Sequence, residues 1–142
     1  MTTYTANKLY PIQPIGSNVG IWGKLLNDNL IDVLDQNLAS IFTPNVSGNT
    51  DYIVSDADAQ NLRHSLTGTL TGDISYILPA RGSFYLISSD ATGGTVTVKP
   101  VGGTGIVVPT SATFIYVHIN TLTVESIGSD LPLPGLRTVT AD

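Results

Sequence analysis

The chain of 142 residues has no cysteine, two histidines, one tryptophan and a single glutamate, Glu125. Without cysteine there is no disulfide framework, no thiol nucleophile and no thiolate metal ligand. Charged residues make up only 12% of the chain, and the net charge is −5. The basic residues Lys8, Lys24, Arg63, Arg81, Lys99 and Arg137 stand singly. No basic stripe is present to neutralise a row of phosphates, which argues against nucleic acid as a partner. Long hydrophobic runs are lacking as well. The apolar stretches are broken by Asn, Asp or Gly, short of the roughly 20 residues a bilayer crossing takes, so no membrane insertion is expected. The first twenty residues carry no apolar run, so no secretory signal is expected either.

What is present is glycine (14), proline (8) and a hydrophobic content of 42%, too apolar for disorder and suited to short strands joined by turns. A chain of this length buries one ordinary core. Four segments follow from patterning. Residues 1–20 form an extended docking arm, with Tyr10, Ile12 and Ile15 apolar between Pro11 and Pro14, which forbid helix. Residues 21–43 form one amphipathic anchor or oligomerisation helix, capped at Ser17 or Asn18 and regular beyond Gly23. Its stripe is Leu26, Leu30, Leu34, Leu38 and Ile41, with Trp22 at its start and Leu25, Ile31 and Val33 widening it. The helix is expected to stop before Pro44.

Residues 44–129 change to a period of two. Strands are expected at 52–54, 62–66, 74–78, 84–87, 95–99, 106–108, 114–118 and 122–124, separated by Gly, Asp, Asn, Ser or Pro clusters. Their number and spacing imply a small β-sandwich or jelly-roll-like domain, so the fold class is mainly β. Thr92 to Pro100 and Val101 to Pro109 echo each other as turn, Gly-Gly, β segment and Pro, but two units do not make a solenoid. Residues 130–142 form a second extended docking tail, with Leu131, Leu133 and Leu136 among prolines.

Residues with catalytic potential are few. His64 and His118 lie in different strands without further donors and read as strand histidines, not zinc ligands. Asp51, Asp56 and Asp58 lack the glycine and terminal glutamate of a calcium loop, though a structural calcium stays open there. Gly102 to Gly105 precedes a β segment and Pro109, so it is a turn and not a phosphate cradle. Asp73 and Asp90, the candidate acid pair of a hydrolase, fall at strand ends where water keeps them ionised. No catalytic, cofactor or metal residues are assigned. On the helix, Asn27, Asn29 and Asn37 suit either a solvated face or a self-association seam where Asn sets register.

A lone helix opening an otherwise β chain must pack against copies of itself or against another surface. The run Gly16-x-Asn18-x-Gly20-x-Trp22-Gly23-x-x-Leu26-Asn27-x-Asn29-x-x-Asp32 resembles the N-terminal helical segment of tailed-bacteriophage and prophage fibre or spike proteins. Leu66 to Ile74, Leu78-Pro79-Ala80, Gly82 to Ser88, Thr92 to Val98 and Ile106 to Pro109 resemble their β domain in the family's order. The resemblance implies a non-enzymatic virion component, a trimer assembled in the bacterial cytoplasm, that anchors a fibre or spike to tail, baseplate or capsid vertex. The short span to Asp142 favours a head fibre, capsid decoration, spike base or adaptor that carries a distal adhesin for host attachment. The interface expected is Trp22, Leu26, Leu30, Leu34, Leu38 and Ile41. The expected partners are further copies and other virion proteins, held by the two arms. The alternative is a carbohydrate-binding β-sandwich contacting the host envelope, and a glycan hydrolase is a third possibility disfavoured by the missing acid pair.

Overall fold

The computed structural model describes residues 3–4, 11–12, 20–108, 111–120 and 122–127. It is mixed α/β, with one helical segment, small sheets and more strand than helix. Strands β1 (Thr3–Tyr4) and β2 (Pro11–Ile12) pair antiparallel. The helical segment runs as α1 (Trp22–Leu26), a π-helical turn (Asn27–Ile31) and α2 (Asp32–Ala39). It therefore begins at Trp22, with Gly23 inside it, and ends earlier than the expected residue 43. Ser40 turns extended at φ −77°, ψ 156°, and its hydroxyl reaches Asn61 Oδ1 at 2.5 Å. Ile41 belongs to strand β3 (Ile41–Phe42) and not to the helix. Tertiary pairing overrides helical periodicity there, because Ile41 and Phe42 lie in parallel register with Arg63 and His64.

The β region is wound, not folded as a Greek key. Strands β3, β5 (Arg63–Leu66) and β7 (Ser83–Ser89) lie side by side and parallel, with Ile41, Arg63 and Leu86 in one row. Strands β4 (Tyr52–Ile53), β6 (Ile74–Leu78) and β8 (Val96–Pro100) do the same, with Tyr52, Tyr76 and Val98 in one row. Single parallel bridges link the connecting segments, Asn45 to Thr67, Gly48 to Leu70 and Thr69 to Thr92. Paired residues are separated by 22 positions (Ile41 to Arg63) to 24 (Tyr52 to Tyr76). The chain thus makes three stacked coils, each a strand, a corner and a second strand.

After the third coil the direction reverses. Strand β9 (Ile106–Val108) pairs antiparallel with β8, and β10 (Ser111–Asn120) and β11 (Thr123–Ile127) extend the other sheet antiparallel to β7. The sheet orders are β11-β10-β7-β5-β3 and β4-β6-β8-β9. The parallel pairing of β3, β5 and β7 and of β4, β6 and β8 differs from the jelly-roll-like connectivity expected. Alternation of period two reports which side of a strand is buried and carries no information on partner or direction. The echo at Thr92 to Pro109 is an antiparallel β8–β9 hairpin, whereas the stacked coils repeat at the longer spacing.

Alternation does place the core. Ile74, Tyr76 and Leu78 on β6, Val96 and Val98 on β8, Leu66 on β5 and Tyr85 and Ile87 on β7 are buried, and together they line the space between the sheets. Corners are stitched by side chains where backbone pairing lapses. Ser47 Oγ accepts the Thr69 N–H at 3.1 Å, Asp51 Oδ1 the Ser75 N–H at 2.7 Å and Asp73 Oδ1 the Thr95 N–H at 2.9 Å. Each acceptor lies one coil before its donor. Gly93, at φ +89°, sits against the Leu70 carbonyl of the preceding coil, where a Cβ would clash.

Candidate functional site

The helical segment carries two parallel rows of every fourth residue with opposite character. Leu25, Asn29 and Val33 are partly shielded by the chain and Asn37 is buried. Trp22, Leu26, Leu30, Leu34 and Leu38 are all exposed, Trp22 and Leu38 at 66%. The more apolar row is the one left outside.

Geometry explains why the exposed row is straight. Each step of four overshoots a 3.6-residue turn by about 40°, so this row would wind roughly 160° around a plain α-helix. The π turn at Asn27–Ile31 closes one residue later and absorbs about one residue, roughly 100° of that drift. The five side chains are left within a sector of about 60°. Lys24, Asp28 and Asp32 fall on the side opposite the exposed row, where Lys24 and Asp28 pair across one turn, and Asp35 lies on the flank between the two.

The expected interface residues therefore share one uncovered face, except Ile41, which projects from β3 at 50% exposure. Asn37 answers to neither of its expected roles. It is buried against its own chain, its Nδ2 donates to the Val33 carbonyl at 2.7 Å, and its Oδ1 is buried without a hydrogen-bond partner. The π turn has a trace in the sequence after all, the strict spacing of four from Trp22 to Leu38.

The candidates for chemistry are dispersed and engaged. His64 is fully buried, with Nε2 3.1 Å from the Asn61 carbonyl and Nδ1 2.7 Å from the Tyr76 hydroxyl. A carbonyl only accepts, so Nε2 carries the proton and Nδ1 accepts from Tyr76. The ring meets Phe42, Tyr76 and Tyr85 edge-on. Burial pushes the Tyr76 and Tyr85 hydroxyls above the usual phenol range. Both phenols stay neutral at any physiological pH, which suits the core and not acid–base work.

The three aspartates weighed as a calcium loop have separate tasks. Asp51 holds the Ser75 amide, Asp56 pairs with Arg81 at 2.8 Å, and Asp58 accepts from the Ser55 hydroxyl at 2.6 Å. Among the described residues no three His, Asp or Glu side chains converge as metal ligands. Asp73 is held below its ordinary carboxylate range by the Thr95 backbone N–H and then the Thr95 hydroxyl. That is opposite to what a general acid needs. Gly102 to Gly105 forms the β8–β9 turn.

A cleft between Asp56, Ala59, Gln60, Pro79, Arg81, Ser83 and Tyr85 has a volume of about 10 Å³, room for a single water and no sugar. Of the aromatic side chains described, only Trp22 and Phe84 are exposed, one on the helix and one on β7. Tyr52 instead stacks on Tyr76 with ring centroids 5.5 Å apart. Tyr10, Ile15, Leu131, Leu133, Leu136, Ser17 and Asn18 lie outside the described residues, as do the side chains of Ile12, His118 and Glu125. No described helix is long and apolar enough to cross a membrane. Compared with protein-family models, curated proteins and solved structures, the chain matches none.

Proposed function

We propose that this chain is a non-enzymatic structural protein of a phage or phage-like particle. In this reading it is a short fibre, spike or fibre-anchoring adaptor that works as a homotrimer and links the particle to a more distal adhesin. The observation that supports it is the exposed apolar row on the helix. Burying a leucine contributes about 1.5–3 kcal/mol, so five side chains exposed to between 37% and 66% forgo on the order of 5 kcal/mol per chain when left in water. A surface of that kind marks an association site. The resemblance of Gly16 to Asp32 to phage-fibre anchor helices supplies the setting. In the same reading, segments 1–20 and 130–142 attach the particle and the outer protein, as extended apolar arms rich in proline lose little entropy on docking.

Two measurements test this. Native mass is expected at three times 14.9 kDa, with Leu34→Asp giving the monomer while the β domain keeps its thermal transition. Proteomics of purified particles is expected to find the chain at fixed stoichiometry. Its loss from intact particles on purification overturns the virion assignment. Release of reducing sugar from host envelope material, abolished by Asp73→Asn or Asp90→Asn without unfolding, overturns the structural reading in favour of a hydrolase.

A further inference from the structure

We propose that His64 is an acid-operated latch between the β coils and the root of the helix. The neutral ring holds the 57–61 turn closed, and a proton on Nδ1 opens that turn and frees the helix end. The turn lies between the ring and the helix. On one side the Asn61 carbonyl accepts the Nε2 proton of His64 at 3.1 Å. On the other the Ala57 carbonyl accepts from Gln36 Nε2 at 3.4 Å, and Asn61 Oδ1 meets the Ser40 hydroxyl at 2.5 Å. Ser40 Oγ lies in turn 2.6 Å from the Gln36 carbonyl, in the last turn of the helix. A continuous polar chain thus runs from a core ring to the helix end. The link it passes through is slight, a single 3-10 turn at Asp58–Gln60 closed by the Asn61 N–H on the Asp58 carbonyl at 3.1 Å. The device is independent of what the exposed leucine row binds.

The closed site has no place for a charged ring. His64 is fully buried, and its Nδ1 accepts from the Tyr76 hydroxyl at 2.7 Å. A proton there sets donor against donor and leaves a cation without water. The groups around it do not compensate. Tyr76 on β6 and Tyr85 on β7 face the ring as neutral phenols, and Phe42 on β3 offers only an apolar edge. The Asp58 carboxylate, whose charge reaches Tyr76, accepts from the Ser55 hydroxyl at 2.6 Å. Asp56 and Arg81, both felt at Tyr85, pair with each other at 2.8 Å. Arg63, the next residue on β5, alternates to the opposite side of the strand. Gln36 and Ser40 at the helix root carry no charge. Hydration is what remains to a protonated ring, and the 57–61 turn is the cover water must displace. A small cleft already separates Ala59 and Gln60 of that turn from Tyr85, which packs on the ring. Displacing the turn breaks the Asn61 contact and carries the helix root off with it.

The open form binds one proton more than the closed form once pH falls below about 6.5, the value of a free histidine. Closure is therefore complete above that value and weakens about tenfold over the first pH unit below it. Amide hydrogen exchange on the full chain, corrected for the intrinsic pH dependence of exchange, reads this between about pH 7.5 and about pH 5.5. Free carboxylates stay ionised throughout that window. Protection of the Ser40, Ala59, Gln60 and Asn61 amides should fall about tenfold, while amides of β6 and β8 keep theirs. His64→Gln should abolish the pH dependence whatever its baseline, and His118→Gln should retain it. His64→Phe, which suits the aromatic surroundings, replaces His64→Gln if that chain does not fold. Protection unchanged by pH in the parent overturns the proposal. So does a fall that survives loss of His64 or vanishes with His118, or one shared equally by β6 and β8, which is plain acid unfolding.

Discussion

His64 sits where the two sheets meet, its ring clamped between the Asn61 carbonyl and the Tyr76 hydroxyl and faced edge-on by three aromatic rings. Truncating it to alanine removes ring packing and strands a hydroxyl and a carbonyl in the core. His64→Ala should therefore lower unfolding free energy by about 3 kcal/mol, measured by denaturant titration, without altering native mass. Asp73 tests the corner stitches. Its carboxyl pKa is lower folded than unfolded, so its contribution is complete above the ordinary carboxylate range and is lost as pH falls through the depressed folded value. The difference in Tm between the parent and Asp73→Asn should be present at pH 7 and close progressively under acid. A difference independent of pH would show that the Thr95 amide does not distinguish charge at this acceptor.

At the scale of elements, the coil corners depend on glycine for two separate reasons. Gly93 adopts a left-handed φ of +89° and passes against the Leu70 carbonyl of the coil before it. Gly93→Ala meets both the backbone strain and the clash, and should cost roughly 1–3 kcal/mol in denaturant titration. Gly102, also left-handed at φ +71° but with open space around its Cβ position, should cost less when made alanine. Equal costs would mean that φ alone, and not the close Leu70 carbonyl, governs these turns. The helix makes a contrasting case. Its order comes from few internal contacts, since Asn37 is its only buried residue, and an isolated helix of this length is marginal in water. Helical circular dichroism should therefore fall when Leu34→Asp dissociates the assembly, while the β signal persists.

For the whole molecule, assembly and folding are separable. The β coils have their own core of Leu66, Tyr76, Leu78, Ile87, Val96 and Val98, none of which lies on the helix. Thermal melting should show a transition belonging to the coils that is independent of protein concentration. A second, tied to the helix, should rise with concentration, as mass action requires of an oligomer. One concentration-independent transition for both would place the helix in the monomer's own fold. Removing residues 130–142 should leave both transitions in place and deplete the distal partner from purified particles. A full complement of that partner would reassign the C-terminal segment.

By itself the sequence determined where the elements lie and which way their side chains turn. The strands at 74–78 and 106–108 fall at their expected positions, Val96 and Val98 point inward, and the stripe from Trp22 to Leu38 is legible as apolar residues spaced by four. These are local properties, written in neighbours a few residues apart. Tertiary structure alone decided the partners. Parallel pairing over 22 to 24 residues joins strands as short as Ile41–Phe42 and Tyr52–Ile53, too brief to announce a repeat, and its clearest trace is Asp51 and Asp73 each holding the amide of the next coil. It also drew Ile41 out of the helix, buried Asn37 and left the leucines outside. Periodicity states that a face is apolar. Whether that face is covered depends on what the rest of the chain brings to it, and here the 57–61 segment meets the C-terminal end of the helix, through Gln36 and Ser40, where Asn37 is buried.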